Sequence, residues 1–236
     1  MKRLLLLSNS TNPGEPFLQF PQKHIQAFLG QRLRRVLFVP FAAVRLTYDA
    51  YAEAVRERFT TMGLDLTSVH TLPEPASAVR QAEAVVIGGG NTFHLLRGLI
   101  QTGLLDAIRT RVLEGAPYVG WSAGSNVACP TIKTTNDMPI VEVPTLGALG
   151  LVPFQINPHY TDVHPSNHQG ETREQRIEEF LEVNPETYVV GLREGTLLQI
   201  EGDTIQFVGE RTARIFRNGR PARELSAVDS FRFLLE

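Results

Sequence analysis

The sequence predicts an α/β fold, a parallel-sheet three-layer sandwich that ends in antiparallel hairpins. Two observations predict it. Short apolar runs alternate with longer amphipathic stretches through most of the chain, the pattern of buried parallel strands joined by crossover helices. The tail then changes to brief strand-like runs punctuated by Gly202-Asp203, Gly209 and Asn218-Gly219, and Asn-Gly is a hairpin turn signal.

Leu4–Leu7, Val36–Phe41, Ala84–Ile87 and Tyr118–Gly120 read as buried strands. Between the second and third, Tyr51, Val55, Phe59 and Met62 mark one helical face. A helical region runs from Thr92 to Glu114, with stripes Phe93/Leu96/Ile100 and Leu104/Ile108/Val112 and a break at Gly103. Val152–Asn157 is a further apolar run, and Thr172-Arg173-Glu174-Gln175 fits a capping box opening a helix whose buried face carries Ile177, Phe180 and Leu181. Leu197–Glu201, Thr204–Val208, Thr212–Arg217 and Phe231–Leu234 are expected to extend the same sheet, so a single domain over residues 1–236 is expected.

Composition narrows the function. With 42% hydrophobic and 20% charged residues, the 236-residue chain can bury a sizeable core. Its net charge of −2 supplies no general field for nucleic acid or anionic membrane. Arg32-Leu33-Arg34-Arg35 is the only basic run and leads into a strand. Cys129 is the single cysteine, which excludes an internal disulfide and a cysteine zinc cluster and fits a reducing, cytoplasmic compartment. No apolar run approaches the roughly 18 residues of a membrane span.

The segment richest in chemistry is Tyr118-Val119-Gly120-Trp121-Ser122-Ala123-Gly124, an apolar strand entering Gly-x-Ser-x-Gly ahead of a small-residue helix start. This is the nucleophile-elbow pattern: a sharp turn lifts the Ser122 hydroxyl above the sheet at a helix N-terminus. Ile87-Gly88-Gly89-Gly90-Asn91-Thr92 follows the preceding strand, without the Lys-Ser/Thr of a phosphate loop. Its glycines expose backbone N–H groups, so Gly90 and Ala123 are the candidate oxyanion hole; the same glycines also fit a crowded strand-to-helix turn.

A serine needs a base. His159 follows Asn157-Pro158 at the end of an apolar run, where active-site residues of parallel sheets collect, whereas His24, His70 and His94 lie in ordinary helix or strand contexts. Asp137, in the polar loop Thr134-Thr135-Asn136-Asp137, is the candidate carboxylate, with Asp162 and Glu142 as rivals. His159, Asp162, His164 and His168 crowd together as a metal-site alternative, but Pro165 and Gly170 oppose a helical His-x-x-x-His there, and no metal or other cofactor is expected. Arg173 falls in the first turn of its helix, where a cation opposes the dipole; it is either a surface arginine or one waiting for a carboxylate.

These residues resemble peptidase E, the α-aspartyl dipeptidases. The resemblance spans nearly the whole chain and rests on Leu4–Thr11, Gly88–Phe93, Gly120–Gly124, Cys129–Ile132, Thr134–Pro139, Gln155–His159 and Gly170–Arg176; residues 143–152 and the C-terminal hairpins match loosely. It implies a flavodoxin-like, class I glutamine amidotransferase-like fold with serine replacing their cysteine. It implies a Ser122–His159–Asp137 triad, cleavage of dipeptides with an N-terminal aspartate through an acyl-enzyme, and Arg173 as anchor for the aspartyl side chain. The expected partner is a small dipeptide, with no nucleic acid or membrane partner and a monomer or homodimer as the assembly. Cyanophycinases and isoaspartyl peptidases are the neighbouring alternatives, and a non-catalytic binding protein on this fold is a third.

Overall fold

The computed structural model describes residues 1–164 and 169–236. Along the chain come β1 (Arg3–Leu7), α1 (Gln22–Leu29), β2 (Arg35–Val39), α2 (Tyr48–Thr61), β3 (Asp65–Ser68), α3 (Pro75–Gln81), β4 (Val85–Ile87), α4 (Thr92–Gln101) and α5 (Leu104–Leu113). They are followed by β5 (Tyr118–Trp121), α6 (Ala123–Ala128), β6 (Gln155–Pro158), α7 (Arg173–Val183), β7 (Tyr188–Leu192), β8 (Leu197–Glu201), β9 (Thr204–Val208), β10 (Ala213–Arg217) and β11 (Arg220–Leu225).

Seven strands form one sheet in the order β3-β2-β4-β5-β1-β8-β9. Its first five strands run parallel, and β8 and β9 add an antiparallel edge. Because side chains alternate across a strand, Leu4 and Leu6 enter one core with Leu95, Leu99 and Ile108, while Leu5 and Leu7 enter another with Ile25, Phe28, Val55 and Phe59. All four leucines are fully buried, as a strand covered on both faces requires.

Helix boundaries follow a side-chain cap and the expected Gly103 break. Thr47 caps α2 by accepting from the Ala50 N–H, and Gly103, in the left-handed region at φ 66°, separates α4 from α5. The buried stripe of α4 is Leu95, Leu96 and Leu99, so Phe93 and Ile100 flank the apolar face instead of centring it.

Two expectations for the tail need correction. The hairpins do not all extend the first sheet: β10 and β11 join a second, four-stranded sheet ordered β11-β10-β7-β6. There β7 pairs parallel with β6 and antiparallel with β10, and α7 packs a separate cluster of Ile177, Leu181, Val189 and Phe216 against it. Phe231–Leu234 is no strand; Arg232–Leu235 forms a turn of 3₁₀ helix, and Phe231 stacks on Phe207 at 5.2 Å. No helix among the described residues is long and apolar enough to cross a membrane.

Candidate active site

Strand β5 delivers Ser122 into a backbone conformation that few L-residues adopt, φ 52° and ψ −112°. The turn closes tightly because a Cβ on Gly120 would lie 2.6 Å from the Gly124 carbonyl oxygen. Hydrogen bonds hold this geometry from below: Ser125 Oγ donates to the carbonyls of Leu7 (2.7 Å) and Gly120 (3.0 Å), and Tyr118 Oη donates to that of Gly124 (2.6 Å). Ser122 thus precedes α6, whose first N–H, that of Ala123, has no helical partner.

His159 Nε2 lies 3.0 Å from Ser122 Oγ. It too has positive φ, 53°, and among the described residues only Leu18 shares that trait with these two outside glycine. Backbone strain of this kind persists where surrounding contacts over-determine it. Here the buried Ser8 hydroxyl accepts from the His159 N–H (2.9 Å) and donates to the Leu192 carbonyl (2.8 Å). The other imidazole nitrogen, Nδ1, lies 2.7 Å from Glu194 Oε1. Hydroxyl, imidazole and carboxylate therefore stand in line, the arrangement that lets a histidine take a serine proton while a carboxylate fixes its tautomer.

The carboxylate at His159 is Glu194 and not Asp137, which corrects the expected triad. Asp137 Oδ2 instead accepts from the Thr92 N–H (2.8 Å), Thr92 Oγ1 (2.5 Å) and Thr135 Oγ1 (3.1 Å), a carboxylate seated on the N-terminus of α4. Asp162 is taken by Arg193, with Nη2 to Oδ2 at 2.7 Å, and Glu142 is exposed. Arg193 also binds Glu224, and Glu224 binds Arg214, which reaches Glu174 at 2.6 Å, so an ion-pair chain ties the segment after His159 to the start of α7. His70 touches Ser68 and Asp49, but Ser68 is only 1% exposed and cannot meet a substrate. Among the described residues no group of three or more His, Cys, Asp or Glu could hold a metal ion. His168, part of the metal-site alternative, lies outside the described residues.

The glycine turn sits directly on the elbow. A Cβ on Gly89 would lie 3.0 Å from Ser122 Cβ, and one on Gly90, at φ 139°, would strike the Ala42 carbonyl oxygen at 2.2 Å. Gly90, Ser122, Asp137, His159 and Arg173 all line one cavity of about 900 Å³. Arg173 opens α7 behind the expected capping box, in which Thr172 Oγ1 accepts from the Gln175 N–H and Gln175 Oε1 accepts from the Thr172 N–H. Among the described residues, Arg173 Nη1 is buried with no hydrogen-bond partner. Burial, and secondarily the charge of Arg176, push the Arg173 guanidinium below its ordinary pKa. A buried guanidinium N–H without a partner is costly unless an acceptor, best an anionic one, reaches it.

The match to known proteins now decides the family. The model of peptidase family S51 covers residues 4–208. The chain belongs to peptidase family S51. It is 54% identical over 235 residues to Peptidase E of Nostoc sp. (strain PCC 7120), spanning 100% of this chain and 97% of that protein. It is 46% identical over 228 residues to Peptidase E of Salmonella typhimurium, spanning 97% of this chain and 99% of that one. The solved structure of a peptidase from an acI-B1 Actinobacterium superposes with TM-score 0.72 at 20% identity over 98% of this chain and 96% of its own. The protein is a peptidase with a flavodoxin-like fold.

Within this S51 chain, the pattern of residues leaves Glu194 unselected although one signal marks it. Tyr188–Leu192 is an apolar run, and Glu194 follows its end just as Ser122 and His159 follow theirs. Parallel pairing of Pro158 with Leu192 brings the two strand ends to one edge.

Proposed function

We propose that this peptidase is a serine dipeptidase that hydrolyses the bond after an N-terminal aspartate through an acyl-enzyme. The observation that carries the specificity is the buried Arg173 Nη1, unpartnered among the described residues, on a side chain that lines the cavity shared with Ser122 and His159. A side-chain carboxylate is the anion that this guanidinium lacks, and a bidentate pair rewards aspartate over neutral residues. Asparagine would leave the arginine unpaired, and glutamate would place its charge one methylene too far.

In this mechanism the Ser122 hydroxyl attacks the carbonyl carbon while His159 Nε2 takes its proton. Glu194 accepts from His159 Nδ1 and stabilises the imidazolium. The Gly90 and Ala123 N–H groups hold the oxyanion, each such donor being worth about 3–4 kcal/mol in a comparable hydrolase. His159 then protonates the leaving amine, the C–N bond breaks, and water repeats the sequence on the ester. Asp137 has Oδ2 occupied by Thr92 and Thr135. Its other oxygen, which no described residue donates to, can take the substrate α-ammonium, the acceptor that an amino-terminal substrate requires. The lone buried Cys129 suits a cytoplasmic location for such an enzyme.

The test is parallel hydrolysis of Asp-Leu, Glu-Leu, Asn-Leu and β-Asp-Leu by wild type and Ser122→Ala, with EDTA present. Cleavage of Asp-Leu alone, abolished in the variant, is expected. Cleavage of β-Asp-Leu alone would move the protein to the isoaspartyl or cyanophycin branch, and turnover by Ser122→Ala would remove the serine mechanism.

A further inference from the structure

We infer that Tyr51 is a positioning residue for the oxyanion hole: its hydroxyl, oriented by Trp121, clamps the Gly89–Gly90 peptide so that the Gly90 N–H faces the reacting carbonyl. The inference rests on the serine-hydrolase reading above.

Gly88, Gly89 and Gly90 are consecutive, and a peptide between two glycines rotates with little steric resistance. A flipped Gly89–Gly90 unit would present a carbonyl dipole to the developing oxyanion and reverse the sign of the interaction. Something outside the turn has to hold it. Tyr51 Oη donates to the Gly89 carbonyl oxygen at 3.1 Å. In a trans peptide the C=O and the following N–H point in opposite directions, so holding Gly89 O toward Tyr51 turns Gly90 N–H away from it. Among the described residues no protein group accepts from that N–H.

The direction of the clamp is fixed chemically. Trp121 Nε1–H lies 3.0 Å from Tyr51 Oη, and an indole can only donate. The tyrosine hydroxyl therefore accepts from Trp121 and has its one proton for Gly89. The ring cannot swing aside. It meets Phe38 edge-on at 5.2 Å, and a Cβ on Gly88 would lie 2.5 Å from Tyr51 Oη. Burial raises the phenol pKa, so the donor stays protonated throughout the working range of an enzyme of this kind. Trp121 is also the residue before Ser122. The Ala123 N–H, through the elbow, and the Gly90 N–H, through Tyr51, are thus both referenced to the end of β5.

The experiment compares wild type with Tyr51→Phe, which keeps the ring and removes the clamp. Three quantities are measured: steady-state hydrolysis of Asp-Leu, affinity for free aspartate, and affinity for the aminoboronic acid analogue of aspartate, which forms a tetrahedral adduct on a serine. Expected is a fall of about 10- to 100-fold in kcat, less than the roughly 10²–10³-fold of losing a preorganised donor outright, because the Gly90 N–H remains and only its clamp is removed. KM and aspartate affinity should stay within twofold, and boronate affinity should fall with kcat. Trp121→Phe, which frees the tyrosine hydroxyl to rotate, should show a smaller loss of the same kind and serves if Tyr51→Phe does not fold. Unchanged kcat in folded Tyr51→Phe, or an equal loss of aspartate and boronate affinity, overturns the role of Tyr51. Failure of the boronate to form an adduct with wild type, or turnover by Ser122→Ala, overturns the serine reading instead.

Discussion

His159 Nδ1 and Glu194 Oε1 stand 2.7 Å apart although 35 residues separate them in the chain. Their meeting is a product of strand pairing, since β6 and β7 lie parallel and end together. Glu194→Gln should therefore lower kcat by about 10³–10⁴-fold, the scale seen when a triad carboxylate becomes an amide and the imidazole loses its tautomer control. Asp137→Asn should act differently, raising KM more than it lowers kcat, because Asp137 does not touch the imidazole. Steady-state kinetics of the two variants side by side separate the roles; the reverse pattern would restore Asp137 to the relay.

Replacing Arg173 should move stability and selectivity in opposite directions. Its buried Nη1 lacks a partner among the described residues, a cost that Arg173→Met would remove. The variant should melt no lower than wild type, yet lose most of the preference for Asp-Leu over Asn-Leu. Aspartate should raise the Tm of wild type and leave that of the variant unmoved. A variant that keeps its preference would place the anchor elsewhere.

Cys129 is fully buried behind the elbow helix, and burial pushes its thiol up to about 12. Neither accessibility nor thiolate fraction favours reaction at neutral pH. Native protein should be inert to a disulfide reagent over hours and release one equivalent of thiol only when denatured. Rapid labelling of the folded enzyme would contradict both the burial and the raised pKa.

Acid should loosen the second sheet first. Hydrogen bonds from Arg193 hold the Glu224 carboxylate down at about 2, against an ordinary 4.5 and against the opposing effect of burial. A depressed carboxylate contributes stability that is complete above its unfolded value and disappears as pH falls through the folded one. The denaturation midpoint should therefore decline between pH 4.5 and 2, and less steeply in Glu224→Gln. Glu224 is 39% exposed, so salt should reduce the difference. Identical acid slopes would show that the pair does not couple to folding.

Much of the fold was legible because its signals are local. The four-leucine run of β1, the stripe of α2, the Gly103 break and the capping box at Thr172 each lie within one turn or one strand. Ser122 and His159 were legible for the same reason, each following a recognisable strand. What escaped depends on which strand lies beside which. The tail reads as hairpins in either sheet, and only the pairing of β10 with β7 assigns it. Glu194 and Asp137 are both polar residues beyond apolar runs, and the β6–β7 register, which no short window contains, decides between them. Tyr51 reads as a core aromatic, since its stripe position hides a hydroxyl aimed at a glycine turn.

The order in which the chain is made gives the position of β1 another meaning. β1 precedes every other strand of its sheet in the chain, yet lies between β5 and β8, so its antiparallel side stays unpaired until residue 201 has emerged. Throughout that interval a strand of five residues, four of them leucine, offers an open edge to any other nascent chain. Glu194 arrives in the same late stretch. A product that stops before residue 194 thus lacks both the strand that closes β1 and the carboxylate beside His159, and the short stretch from 194 to 201 supplies the two together.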